Sequence, residues 1–547
     1  MELADTVNMS HYGARHNLLH NWRLLISCLL LSTCYFTFGY DAYIYGGVIA
    51  MPSFIEKFGS LTAAGYVLTA KETSIVSSIP TVGSLIGFVM IALMADRYGR
   101  KITIYAGAVI GLVGMALQVA GSSLALVTVG RTIAATSTFV TINMALTLSA
   151  ELAPACLRGS IMTLSAVTIG IAGIIASGIN YGTYAILTSL AWRLPVGLQF
   201  IGPVVIILAV LFVMESPTYY LIKDDDQKAR QSLVKVRQGY TNAEVDTELE
   251  NMRHQRTLHT STQRISPLDM FKGSNLRRTM LSSSFVIITQ LSGLAFATSY
   301  AAIFFVQIGT VNPFLMVLAL SILEWGGACV GQVLIEVLGR RNQALLATGV
   351  LFVLDIAVGG LGFAPATNLK ATRAIAALCL VFGFFIAATM SPLQWCAIGE
   401  FPTARLRNLT SAYALLNSSL ASLVISYVLP YITAADAADL GPKVYLIFAG
   451  CMLVCFVWAF FCYPEIRGRT LAELDEMFGE GVPARNFRTH VCVNTLENTA
   501  TIMVNDIKQE HQGETQQVEV VGDSAGATGR GQDVEMVRVG EKAGEKI

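Results

Sequence analysis

The sequence predicts an all-α polytopic membrane protein, with twelve transmembrane helices in two pseudo-symmetric six-helix halves. Three observations carry that expectation. The first is composition: 54% of the 547 residues are hydrophobic and 14% are charged, with a mean hydropathy of +0.57. A soluble domain carries about 25% charged residues. The second is a series of apolar runs, each near the ~20 residues that a spanning helix needs. They fall at approximately 23–49, 73–94, 102–120, 124–149, 160–184, 194–214, 281–306, 314–336, 343–364, 373–398, 410–433 and 443–463. The third is a set of phrases that occur twice. Glu151-Leu-Ala-Pro-Ala-Cys-Leu-Arg158-Gly159 recurs, loosened, as Glu400-Phe-Pro-Thr-Ala-Arg405-Leu-Arg407. Asp96-Arg97-Tyr-Gly99-Arg100-Lys101 recurs as Glu336-Val-Leu-Gly339-Arg340-Arg341, and Glu215-Ser-Pro217 answers to Glu465-Ile-Arg467. An internal repeat with charged punctuation between spans is the sequence mark of a two-halved secondary transporter.

In chain order, residues 1–22 read as a cytoplasmic segment and 23–214 as the first six-helix half. Span 1 begins too far into the chain, and is too long, for a cleavable signal peptide. Residues 215–280 are polar and charged, with helical patches at Asp226–Arg237 and Ala243–Arg256, and read as a cytoplasmic linker of amphipathic helices. Residues 281–464 form the second half. Residues 465–547 read as a cytoplasmic tail, largely disordered, because from 479 onward no apolar periodicity is sustained. An even number of spans puts both termini on one side. The tight loops carrying Arg97, Arg100, Arg158, Arg340, Arg341, Arg405 and Arg407 make that side the cytoplasm. The sequons at Asn8 and Asn408 fall on that side and the one at Asn417 lies in a span, so no N-glycan is expected.

Net charge is zero, which argues against a nucleic-acid partner. The ten cysteines lie mostly inside apolar runs with no CxxC pair, and read as small apolar residues. No nucleophile–base arrangement, metal-ligand spacing or phosphate loop stands out, so neither an enzyme nor a cofactor is expected. The expected partners are a small-molecule substrate, a proton and the lipid bilayer. The expected form is a monomer in the plasma membrane.

Together these phrases resemble the sugar-porter family of the major facilitator superfamily, over roughly residues 20–480. The matching words are Phe38-Gly39-Tyr40-Asp41, Asp96…Lys101, Gly130-Arg131, Glu151…Gly159, Trp192-Arg193-Leu-Pro195 and Glu215-Ser-Pro217. Gln290-Leu-Ser-Gly293, Gly339-Arg-Arg341, Trp395…Glu400 and Pro464…Phe478 add to them in the second half. The form of the Glu400…Arg407 phrase looks most like fungal α-glucoside permeases. The resemblance implies the major facilitator fold and transport of a sugar or sugar-like solute by alternating access with proton symport. Two other uses compete: proton-driven efflux of a non-sugar metabolite, and a nutrient receptor without appreciable flux.

The charged phrases are expected to form a cytoplasmic gate. Acidic Asp96, Glu151 and Glu400 and basic Arg97, Arg100, Arg158, Arg340, Arg341, Arg405 and Arg407 sit at helix ends on one face. Pairing across the halves can hold that end shut. The bland alternative is that they only set topology.

Four ionisable residues fall within spans: Asp41, Arg131, Glu324 and Asp355. Each costs at least about 2.5–3.5 kcal/mol at mid-bilayer unless paired or hydrated, so each is a functional candidate. The resemblance places proton coupling on Asp41 and Arg131, the alternative being a purely structural ion pair. Glu324 stands where sugar-binding relatives carry asparagine. An ionised carboxylate only accepts hydrogen bonds, which suits a donor-rich or cationic solute. Asp355 has no family role, and a structural or lipid-edge position is expected.

By the same resemblance, substrate-binding positions are Thr289, Gln290, Glu324, Gln394 and Trp395. Ala166 and Ala295 replace polar residues of the hexose carriers. A site with fewer hydrogen-bond partners should bind a plain hexose poorly.

Overall fold

The computed structural model describes residues 22–490 and Cys492, except 63–64, 154–157, 238–240, 243–244, 251, 254–266, 295–300, 309–311, 366–367, 404–405, 435 and 470. Among the described residues, eleven helices are long and apolar enough to cross a membrane. Spans 1 to 5 are Trp22–Val48, Ala70–Tyr98, Arg100–Val119, Leu124–Leu152 and Arg158–Thr183. Span 6 joins Leu190–Leu198 to Ile201–Phe212, and spans 8 to 12 are Pro313–Leu338, Arg340–Leu361, Leu369–Glu400, Arg407–Thr433 and Tyr445–Cys462. The expected seventh span is carried by two helices, Gly273–Leu291 and Ala301–Ile308. Ser292 caps the first of them, and Gly293 follows at φ +88°, a conformation that does not continue a right-handed helix.

The two ends of the bundle start their helices differently. On one side, short polar side chains cap them. Thr69 and Glu72 form a reciprocal capping box, Ser123 accepts from Leu126 N–H at 3.3 Å, and Asn312 accepts from Leu315 N–H at 3.2 Å. On the other side, spans 2 and 3 and spans 8 and 9 are joined by single glycines. Gly99 has φ +94° and Gly339 φ +82°. A Cβ on either would lie 2.6 Å from a carboxylate oxygen, of Glu215 and Glu465 respectively. The glycine in each repeated phrase is therefore fixed by both backbone and space.

Within each half, small residues let helix backbones touch. Gly114 packs on Gly130 and Ala134 between spans 3 and 4, and Gly327 and Gly331 pack on the carbonyls of Phe384 and Ala388 between spans 8 and 10. The halves meet through span 2 against span 11 and span 5 against span 8. Below them, the helices Pro217–Ile222 and Asp226–Val236 bury Leu221, Ala229 and Leu233 against Val245 and Leu249. The ordered chain runs further than expected. The helix Leu471–Gly479 is followed by a 3-10 turn at Ala484–Asn486, and Phe487 is fully buried. What holds this stretch is aromatic and ionic rather than periodic: Arg278 pairs with Asp475, and Phe478 stacks edge-on to Phe487 at 5.0 Å.

Candidate functional site at the junction of the halves

Span 5 carries Gly170, Gly173 and Ser177, spaced so that they share one face. The Trp325 indole occupies the space above Gly170, the Tyr43 ring lies against Gly173, and Ser177 hydrogen-bonds Ser321 at 2.7 Å. Spans 1, 5 and 8 thus meet at one point. There the Tyr43 hydroxyl donates to Glu324 Oε2 at 2.9 Å, a side-chain bond across the halves. The second oxygen, Glu324 Oε1, is buried with no hydrogen-bond partner among the described residues, and so is Trp325 Nε1. An orphaned acceptor and an orphaned donor on consecutive residues are costly in a packed interior. Each is available to a partner of the opposite kind, Glu324 Oε1 to a donor and Trp325 Nε1 to an acceptor.

The other sequence-derived binding positions are placed as follows. Gln290 donates to Ser418 Oγ at 3.2 Å, linking spans 7 and 11. Thr289 is buried and its hydroxyl donates to Phe285 O at 3.0 Å in its own helix, so its donor is already spent. Gln394 and Trp395 share the open face of span 10, where Trp395 is 47% exposed and neither side chain has a hydrogen bond among the described residues. Ala166 is half-buried in span 5, and Ala295 lies outside the described residues.

Asp41 and Arg131 lie close enough to interact electrostatically, but they make no direct ion pair. Asp41 Oδ1 accepts from Gln199 Nε2 at 3.1 Å. Arg131 donates to the Val76 carbonyl at 2.8 Å, and its guanidinium sits 3.8 Å from the ring centroid of Tyr45, one helical turn from Asp41. Tyr45 is held in turn by its bond to Gln118, whose amide donates to Gly130 O at 3.2 Å. The expected pair is therefore separated in this conformation by the alternative partners each has found.

Among the described residues, the charged phrases pair within each half. Arg100 meets Glu151 at 3.0 Å within the first half, and Arg340 meets Glu400 at 3.0 Å within the second. Glu215 accepts the backbone N–H groups of Arg100, Lys101 and Ser216, and Glu465 those of Arg340, Arg341 and Arg467. Burial pushes the Glu215 carboxyl above the usual range, and its backbone donors pull it back. Each helix start holds a carboxylate from its own half on its backbone N–H groups, while Arg100 and Arg340 pair with the acids at the ends of spans 4 and 10. Arg97 is exposed, its guanidinium 5.3 Å from the Tyr98 ring centroid. The side chains of Asp96, Arg158 and Arg407, and all of Arg405, lie outside the described residues.

Of the two positions expected for Asp355, structural or lipid-edge, the lipid edge is excluded. Asp355 is 0% exposed, on span 9 where that helix packs against spans 10 and 12, and both carboxyl oxygens lack a partner among the described residues. Sequence reasoning also missed Tyr43, Trp325 and Ser177. The signal available for them was the Gly170, Gly173, Ser177 stripe, which marks where another helix must approach closely.

The chain matches the model of the sugar (and other) transporter family over residues 27–478. It belongs to that family. This family member is 28% identical over 481 residues to the general alpha-glucoside permease of Saccharomyces cerevisiae, covering 86% of this chain and 77% of the permease. It is also 28% identical over 455 residues to the high glucose sensor RGT2 of the same yeast, covering 81% of this chain and 59% of the sensor. The inward-open structure of the xylose transporter XylE from E. coli superposes with a TM-score of 0.65 at 18% identity, covering 83% of this chain and 99% of XylE. The transporter-family chain therefore has the two-halved major facilitator fold.

Proposed function

We propose that this protein moves a small hydroxylated solute, a sugar or sugar-like compound, across the plasma membrane by alternating access with proton symport. It acts as a monomer with both termini in the cytoplasm. The observation that carries this reading is the Tyr43–Glu324 bond between the halves, with Glu324 Oε1 and Trp325 Nε1 left unpaired beside it. In this reading a solute hydroxyl donates to Glu324 Oε1, and Trp325 Nε1 offers a donor to a solute oxygen. Gln290, Gln394 and Trp395 then serve as further contacts from spans 7 and 10. Membership in a family whose named relatives include an α-glucoside permease supports the solute class.

Asp41 carries the coupling proton in this reading. Ionised, it holds Gln199 and attracts Arg131; protonated, it releases the attraction and leaves Arg131 on Tyr45 and Val76. The proton thereby changes the relative energy of two arrangements of span 1 and span 4, as coupling requires. The charged loops on the Gly99 and Gly339 side are the cytoplasmic gate. Their arginine–acid pairs stiffen each half so that it moves as one body.

A second reading, export of a cationic or donor-rich metabolite, draws on the same Glu324 Oε1, since an ionised carboxylate favours donors and positive charge. Reconstitution in liposomes with an imposed pH gradient separates the readings. Sugars and polyols accumulating with the proton flow support symport. Gradient-driven movement of amines against it supports export. Saturable binding with no flux for any solute refutes both and leaves a receptor.

A further inference from the structure

On the charged-loop face of the second half, four arginines converge on one cavity of about 470 Å³. Arg341 comes from the first turn of span 9 and Arg467 from the segment after span 12. Arg485 and Arg488 come from the turn that folds back after the helix Leu471–Gly479. Glu465 is the one carboxylate lining it among the described residues, and backbone N–H groups already claim both its oxygens: Arg340 at 2.9 Å, Arg467 at 3.0 Å and Arg341 at 3.1 Å. The arginines are held by neutral groups. Arg341 donates to the carbonyls of Tyr463 and Phe460, and Arg467 to Val337 O at 2.7 Å. Arg485 lies over the rings of Phe460 and Phe461 at 4.7 and 5.1 Å. The Arg488 side chain has no partner among the described residues. Arg341 and Arg485 face each other as like charges. Among the described residues, four arginines are thus gathered here against one carboxylate, Glu465, whose oxygens already accept backbone N–H groups.

The repeat does not account for this. The first half has the same glutamate over the same helix start, Glu215 over Arg100 and Lys101, but Pro217 stands where Arg467 does. The position of the cavity identifies the counter-charge. Val337, one of its walls, is 62% exposed near the end of span 8, and Phe461, beneath Arg485, is 60% exposed at the end of span 12. Exposed apolar side chains on the outside of a membrane bundle, away from its central site, face acyl chains. The cavity thus opens on hydrocarbon at one rim and on charged loops at the other. A phosphate oxygen accepts the planar, paired donors of arginine well, and basic pockets at the cytoplasmic boundary are where anionic headgroups concentrate.

We propose that this cavity binds the phosphate-bearing headgroup of an anionic lipid, its acyl chain lying along Val337 and Phe461. The assignment rests on the reading above only in taking this face as the membrane boundary on the loop side. Bound there, the lipid ties the 484–490 turn to spans 8, 9 and 12.

The full chain, purified in detergent, would be titrated by native mass spectrometry with dioctanoyl phosphatidylinositol phosphate, dioctanoyl phosphatidylcholine and inorganic phosphate. The anionic lipid should bind at least about tenfold more tightly than the zwitterionic one. Arg485→Ala with Arg488→Ala should remove that preference, and Arg485→Lys with Arg488→Lys should retain most of it, since lysine also binds phosphate as a point charge. Arg488→Ala alone, at a side chain without partners, guards against misfolding and should still weaken binding severalfold. Equal binding of the two lipids, or unchanged binding in the alanine variants, overturns the proposal. Saturation by inorganic phosphate at the same affinity, with full competition, overturns the lipid assignment in favour of a free anion. None of these measurements needs transport, so failure here leaves the transport reading standing, and failure to transport leaves this one.

Discussion

Tyr43→Phe should open the protein on the side away from the charged loops. The variant keeps the ring that packs on Gly173 and removes only the hydroxyl that donates to Glu324 Oε2 at 2.9 Å. Because Oε1 is already without a partner, the carboxylate is left buried with no hydrogen bond among the described residues. A hydrogen bond to a charged group contributes about 1.5–3 kcal/mol. The bond joins spans 1 and 8 and exists only while the halves are together at this level. Its loss is therefore felt by one conformation and not the other. At about 1.4 kcal/mol per tenfold, the ratio of open to closed outer ends should rise on the order of 10- to 100-fold. Spin labels at Leu187→Cys and Leu369→Cys, both exposed at the outer ends of their segments, report it in a Cys462→Ser background. The distance distribution should gain a longer population in Tyr43→Phe and a smaller one in Glu324→Gln, whose amide oxygen still accepts from Tyr43. The double variant should shift less than the two single shifts together. Superimposable distributions in Tyr43→Phe and the native chain would show that this bond does not hold the halves together.

Asp41→Asn should abolish accumulation against a gradient while exchange of labelled solute continues; an accumulating variant would rule out Asp41 as the coupling group. Gly339→Ala should destabilise by at least about 1–2 kcal/mol through its positive φ, with the Glu465 contact at 2.6 Å adding to that. Gly326→Ala, with open space around its Cβ, is the control in the same melting assay. Asp355→Asn and Asp355→Leu should each keep transport and match or exceed native stability, because neither oxygen has a partner to lose; loss of pH-driven uptake in both would give Asp355 a role in coupling. Native glucose uptake should be weak and should increase in Glu324→Asn, since an amide supplies the missing donor; robust native glucose uptake would contradict that account of Glu324.

The fold was legible because membrane spans announce themselves by length and apolarity, and because the repeated phrases punctuate them at matched offsets. The glycine of each phrase was legible for the same reason: a positive φ leaves few alternatives. Which charges pair was not. Arg100 and Arg340 each had acids within reach in both halves as far as sequence spacing goes, and only the folded helix starts show that Glu151 and Glu400 of the same half reach them first. For Asp355 the choice between a structural and a lipid-edge position stayed open, because a single acid in an apolar run carries no record of which helix face it occupies. Tyr43 and Trp325 look like ordinary apolar filling until the small residues of span 5 bring them against Glu324.

The placement of the polar contacts bears on how such a bundle moves. Five side-chain-mediated hydrogen bonds join the halves among the described residues: Tyr43 to Glu324, Ser177 to Ser321, Asn312 to Tyr184, Ala70 N–H to Asp436 and Ser74 to the Tyr427 carbonyl. The last three lie near the outer ends, away from the Gly99 and Gly339 turns, whereas at those turns the arginine–acid pairs among the described residues are internal to each half. Each half is thus braced within itself at one end and lightly fastened to its neighbour at the other. At about 0.5–1.5 kcal/mol net per hydrogen bond, the fastening amounts to a few kcal/mol. Moving a two-state equilibrium from 1:99 to 99:1 takes about 5.5 kcal/mol. A fastening of that size is within what a ligand with different affinities for the two arrangements can overcome, so halves that rock about the contacts of span 2 with span 11 and span 5 with span 8 need break only these few bonds.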